Sequence, residues 1–95
     1  MNLALMMRLA SKYIWWKPGA QAVSQPDRVA AQVMELGDWD DVMLLRESEG
    51  DDFLRQVLLR AEAGQFSERS WNYWNLRLGL GRPGNLPPMP TRHFA

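Results

Sequence analysis

The segment Ser67-Glu-Arg-Ser-Trp-Asn-Tyr-Trp-Asn-Leu-Arg-Leu-Gly79 restricts this chain more than any other. Trp71, Trp74 and Leu78 recur at i, i+3 and i+7, so a helix would carry two indoles and a leucine on one stripe that must be buried. The Ser67 hydroxyl can cap the first turn, Glu68 suits the positive end of the helix dipole, and Gly79 can take the left-handed conformation that ends a helix. Phe66, just before the cap, stands where a hydrophobic staple packs back onto Trp71. The spacing predicts a helix over 68–78 with a dry partner surface waiting for it.

The rest of the chain supplies that surface in glycine-bounded pieces. Ser24-Gln25-Pro26-Asp27 reads as a capping hydroxyl followed by a first-turn proline and a carboxylate, opening a helix over 25–36 whose line is Val29, Val33 and Leu36 and which Gly37 closes. Asp38 opens a short helix over 39–48, with Asp41 in a box-like relation to it and Trp39 between them. Asp51 and Asp52 start a third over 52–63, in which Phe53, Leu54, Val57, Leu58 and Ala61 form a broad apolar stripe that Gly64 stops.

Residues 3–14 place Leu3, Met6, Met7, Ala10, Tyr13 and Ile14 on one helical face. Tyr13-Ile14-Trp15-Trp16 can equally run as an extended arm, because aromatic and β-branched residues in succession suit a strand. Links of two or three residues force successive helices to pack as neighbours. The expected architecture is all-α: a small bundle of four short helices, five if residues 3–14 also coil, forming one domain over 1–80. Its expected core is Val33, Leu36, Trp39, Leu54, Val57, Leu58, Phe66, Trp71, Trp74 and Leu78. Ninety-five residues with five tryptophans and six methionines can fill such a core without staples.

Composition changes after Gly79. Residues 81–95 hold four prolines and end in Thr-Arg-His-Phe-Ala, so they are expected to be an extended tail with polyproline character. Leu86, Met89 and Phe94 would each prefer a groove to water, on this domain or on a partner.

Catalytic patterns are few. The only histidine, His93, stands in the proline-rich tail, a poor place to hold an imidazole against a nucleophile. The adjacent carboxylates at Asp40–Asp41 and Asp51–Asp52 are accounted for by capping and the helix dipole. The acidic run from Glu35 to Asp52 lacks the spacing of a calcium loop, and there is no glycine-rich phosphate loop. Without cysteine there is no thiolate metal site or disulfide, which fits the cytoplasm. No enzyme activity, metal or cofactor is expected. No stretch has the apolar length of a membrane span or the form of a secretory signal. Met6 and Met7 offer alternative starts that would make the first five residues dispensable.

Charge is zero overall but unevenly placed: +3 over residues 1–34, −7 over 35–52 and +4 over 53–95. A neutral chain lacks the positive field of a non-specific nucleic-acid binder. Nine of its eleven basic residues are arginine, which favours directed hydrogen bonds and stacking. Arg69, Tyr73 and Arg77, interleaved with the indoles of the last helix, can serve a protein interface or stack on bases, while the indoles themselves can simply be core. With Leu86, Met89 and Phe94 they make up the candidate partner-binding residues. A protein partner is favoured over nucleic acid, a membrane role is not expected, and a homodimer is compatible with the pattern.

Trp15-Trp16-Lys17-Pro18, Pro26-Asp27-Arg28 with Gln32-Val33-Met34-Glu35-Leu36-Gly37, Leu54-Arg55-Gln56-Val57-Leu58, and Phe66 through Trp74 with Leu78-Gly79 together resemble a family of small bacterial helical proteins. In that family an early tryptophan precedes three or four helices and a final aromatic-rich helix ending in Leu-Gly. Its members are often encoded beside a nucleotidyltransferase-like toxin of the abortive-infection type. The resemblance covers about residues 13 to 92 and implies an antitoxin-like role with no catalytic residues to carry over. Where many relatives have an acidic residue after the early tryptophan, this chain has Lys17 and Pro18. Two other readings stand beside it: a helix-turn-helix-like nucleic-acid-binding regulator, and a self-associating structural module.

Overall fold

The computed structural model describes residues 2–16 and 24–91. Within them the chain is all-helical: α1 (Leu3–Tyr13), α2 (Pro26–Leu36), α3 (Trp39–Glu49), α4 (Asp51–Leu59) and α5 (Glu68–Arg77). No strand occurs among the described residues, only an isolated bridge between Arg82 and Asn85. No helix among them is long and apolar enough to cross a membrane.

The central element is α2, which packs against all four other helices. Its sequence explains this, because Val29, Ala30, Ala31, Val33 and Met34 are all buried and spread around more than half of the helix. The two alanines let neighbouring backbones approach closely. Met6, Leu9, Ala10 and Ile14 from α1 join Val42 and Leu45 from α3, Leu54, Val57 and Leu58 from α4, and Phe66, Trp71, Trp74 and Leu78 around α5 in one core.

Local capping follows the sequence closely. Ser67 accepts from the Ser70 N–H at 3.2 Å, and Asp38 accepts from the Asp41 N–H at 2.8 Å. Phe66 packs on Trp71 with ring centroids 5.8 Å apart, completing the staple. At the end of α5 the Gly79 N–H bonds to the Leu76 carbonyl and the Leu80 N–H to that of Asn75, with Gly79 at φ 75°. That pair of bonds is the Schellman arrangement.

Several boundaries and faces differ from expectation. Helix α2 takes Gln25 as its N-cap, with no side-chain capping bond, rather than Ser24. Helix α4 ends at Leu59, where the Arg60 N–H bonds to the Gln56 carbonyl and the Ala61 N–H to that of Leu58; Gly64, at φ 87°, serves the following turn instead of the helix end. In α1 the buried face runs through Met6, Leu9 and Ala10, leaving Leu3 and Met7 exposed. The Asn2 side chain accepts from the Leu5 N–H at 3.1 Å and caps α1, while residues 2–4 are exposed. Helix α1 reaches Tyr13, so the extended-arm reading fails there.

Two expected core residues are on the surface, Leu36 at 61% and Trp39 at 63% exposure. Leu36 is the last residue of α2, at the edge of the arc that Val29, Ala30, Ala31, Val33 and Met34 bury, and no later turn of the helix covers it. Trp39 is the first residue of α3 and stands about a third of a turn away from the buried Asp41–Val42–Leu45 face. At helix ends, neighbouring turns cover only one side of a residue. The other eight expected core residues are buried.

The segment after Gly79 folds back on its own domain as far as it is described. Arg82 and Asn85 exchange backbone bonds across a turn in which Gly84 takes φ 79°. Gly81 lets the chain return closely, since a Cβ there would stand 2.8 Å from the Leu86 Cδ2. The Trp71 indole N–H then donates to the Pro87 carbonyl at 2.8 Å, and Met89 packs against the core. Of the two tail readings, the self-docked one describes residues 81–91. Phe94 and His93 lie outside the described residues.

Candidate functional site

The end of α2, the start of α3 and one flank of α5 enclose a groove of about 280 Å³ lined by Met34, Gly37, Trp39, Val42, Arg69, Ser70, Tyr73 and Trp74. Its floor is rigid. Trp74 is buried, and its indole N–H donates to the Met34 carbonyl at 2.9 Å, which fixes α5 to α2. Tyr73 meets Trp74 edge to face with centroids 5.1 Å apart, so the exposed ring is held by the buried one. Trp39 faces it from α3.

Polar contacts outside the groove hold its walls in place. Glu35 accepts from the Ser67 N–H at 2.9 Å, joining the end of α2 to the start of α5. Arg46 forms a two-point bridge to Asp51, both contacts at 2.9 Å, across the α3–α4 corner. That guanidinium holds the Asp51 carboxyl below its usual range. Arg55 donates to the Leu78 carbonyl at 2.8 Å, tying α4 to the end of α5.

The start of α3 is pinned from the other side by α1. Asp41, only 8% exposed, accepts from Lys12 Nζ at 2.6 Å and from the Tyr13 hydroxyl at 2.5 Å. Asp38 accepts from the same ammonium at 3.2 Å, while its N–H donates to the Tyr13 hydroxyl at 3.3 Å. The Lys12 and then the Tyr13 hydrogen bond lower the Asp41 pKa. The Asp41 N–H and then Lys12 lower that of Asp38. Lys12 is correspondingly raised by its two carboxylates, and Tyr13 by burial and then by Asp41. Every member of this cluster has partners, and its work is positional.

No family model matches the chain, and no curated protein or solved structure matches it.

Of the expected partner-binding residues, the structure brings Arg69 and Tyr73 together in the groove. Arg77 lies two turns further along α5, beside Met43, Arg46, Glu47 and Asp51. Leu86 and Met89 are half-buried against this domain. The groove residue that sequence reasoning missed is Trp39, assigned to the core and found on the surface. A usable signal existed for Trp39: it follows an N-cap directly and has carboxylates on both sides, a position where burial is hard to complete.

Chemically the groove is aromatic and cationic. Arg69 forms no ion pair among the described residues, whereas Arg28, Arg46, Arg55 and Arg60 each meet a carboxylate. A second cleft of about 170 Å³, lined by Ile14, Trp16, Gln25, Arg28, Ala31, Gln32 and Gln65, has its arginine engaged with Glu62 at 3.3 Å. Among the described residues no group of three or more histidine, aspartate or glutamate side chains gathers where one metal ion could be held.

Proposed function

We propose that this protein is a non-enzymatic interaction module that binds another protein through the Trp39–Arg69–Tyr73 groove, acting in the cytoplasm as an antitoxin-like partner of a nucleotidyltransferase-type toxin. One observation carries the reading. Trp39 is 63% and Tyr73 46% exposed, both lining the groove with Arg69, which forms no ion pair among the described residues. Tryptophan, tyrosine and arginine dominate protein-interface hot spots, because each offers large contact area or directed bonds at small entropic cost. The family resemblance supports a toxin as the partner, and the exposed groove residues support a protein contact. Because segment 81–91 folds onto its own domain, the reading rests on the helical face rather than on the tail.

The test is capture of the neighbouring gene's product by the tagged full chain. Wild type retains it, and W39A/Y73A retains at least tenfold less. Equal retention by the double variant, or no retention by wild type, overturns the reading.

A further inference from the structure

The same face carries more than an aromatic groove. The first turn of α3 and the early turns of α5 line that groove together, through Trp39, Val42, Arg69 and Tyr73. Further along, Met43, Arg46 and Glu47 of α3 share a second depression with Arg77 of α5. The two helices therefore run side by side in the same direction.

Their outer strips carry opposite charge. Asp40 and Glu47 are exposed on α3, about 10 Å apart along the axis, with the half-buried Met43 between them. Arg69 and Arg77 are exposed on α5, about 12 Å apart, with Tyr73 between them. None of these four groups forms an ion pair or hydrogen bond through its side chain among the described residues, although Arg77 adds to the positive field at Asp51. Two carboxylates and two guanidiniums thus stand on one face with similar spacing and the same order, and do not reach each other within the chain.

We propose that a second copy of this chain covers the face, related by a two-fold axis running along the groove. Rotation about that axis lays α3 of each copy over α5 of the other and keeps the helix directions. Asp40 then meets the partner copy's Arg69, and Glu47 meets its Arg77. The same operation brings Trp39 of each copy towards Tyr73 of the other, closing an aromatic seam between the charged strips. A two-fold interface needs one self-complementary patch, and this face supplies both halves. An axis across the helices would set like charges against each other, so the charges select the orientation as well as the partner. The inference rests on reading the groove as a protein-binding surface and names what covers it in the absence of the proposed partner, which would compete with the second copy for the same residues.

Sedimentation of the full chain across a concentration series tests it. Wild type reaches twice the 11.0 kDa chain mass. R69E/R77E makes the face wholly acidic and D40R/E47R makes it wholly basic, so each variant alone sediments as a monomer. Mixed in equal amounts they return to the doubled mass, because every facing pair is again of opposite sign. Recovery in the mixture also shows that both variants are folded. Wild type that stays monomeric up to millimolar concentration overturns the proposal, as does a mixture that stays monomeric while both variants keep their helical circular dichroism. Should either variant lose that signal, a salt titration of wild type decides instead: the dimer weakens as salt rises, and a salt-insensitive dimer overturns the charge register. Monomeric wild type that still captures the neighbouring gene's product in a Trp39-dependent way removes the self-pairing and leaves the proposed function standing.

Discussion

The Tyr13 hydroxyl donates to Asp41 Oδ2 at 2.5 Å and so fastens the end of α1 to the first turn of α3, two elements 28 residues apart in sequence. Asp41 is also the residue whose N–H the Asp38 side chain caps, so one position closes a local turn and a long-range contact together. The substitution D41A leaves the Tyr13 hydroxyl without its acceptor and Lys12 without its closest carboxylate. The expected loss is about 1–3 kcal/mol, read as a lower urea midpoint with an unchanged slope.

The same cluster sets a pH dependence. Asp41 and Asp38 have folded-state pKa values below the ordinary 3.8, so their contribution is present above that value and is lost as pH falls through the lower folded values. Tyr13 and Lys12 are raised above 10.0 and 10.5, so their contribution is full below those values and is lost as pH rises through the higher folded ones. Stability should be level between about pH 5 and 9 and fall on either side. In D41N the acid limb should flatten, which chemical denaturation at a series of pH values would reveal.

Trp39 and Trp74 should separate binding from stability. W39A removes an exposed ring and should change stability by no more than about 0.5 kcal/mol while abolishing capture of the partner. W74A removes a buried ring together with its bond to the Met34 carbonyl, and should cost about 3–5 kcal/mol in thermal or urea unfolding. Comparable losses of stability in the two variants would contradict the placement of Trp39.

Glycines 37 and 79 should fail for different reasons. G79A has open space around the new methyl but must hold φ near 75°, at a cost of about 1 kcal/mol. G37A has no positive φ to hold, yet its Cβ would stand 2.4 Å from the Val33 carbonyl oxygen, so the end of α2 must shift. G37A is expected to lower the melting temperature more than G79A.

W71F keeps the ring packing against Phe66 but loses the N–H that holds the Pro87 carbonyl. The expected result is release of the segment after Gly79, seen as several-fold faster thermolysin cleavage at the Gly79–Leu80 bond, with a stability loss of about 0.5–1.5 kcal/mol. Cleavage at the wild-type rate would show that packing of Leu86 and Met89 alone retains the segment.

Helix existence and most helix ends could be read from the chain because the interactions that decide them span three to five residues. The Ser67 and Asp38 caps, the Phe66–Trp71 staple and the Gly79 termination are all of that kind. Of the candidate groove, Arg69 and Tyr73 were legible because they lie on the α5 face away from the indole stripe. Trp39 was only half legible: its place directly after the Asp38 cap argued for exposure, its apolar spacing with Val42 for burial, and packing decided between them.

Tertiary structure alone decided which faces became dry. Leu36 and Trp39 stayed wet because none of the described elements packs on their side of the helix ends, and Asp41, a capping-box carboxylate by sequence, was buried because Lys12 and Tyr13 arrive from α1. The tail turned inward because the Trp71 N–H meets the Pro87 carbonyl, sixteen residues later. Local bonds are encoded where they form, whereas burial belongs to surfaces that meet only after the chain has folded.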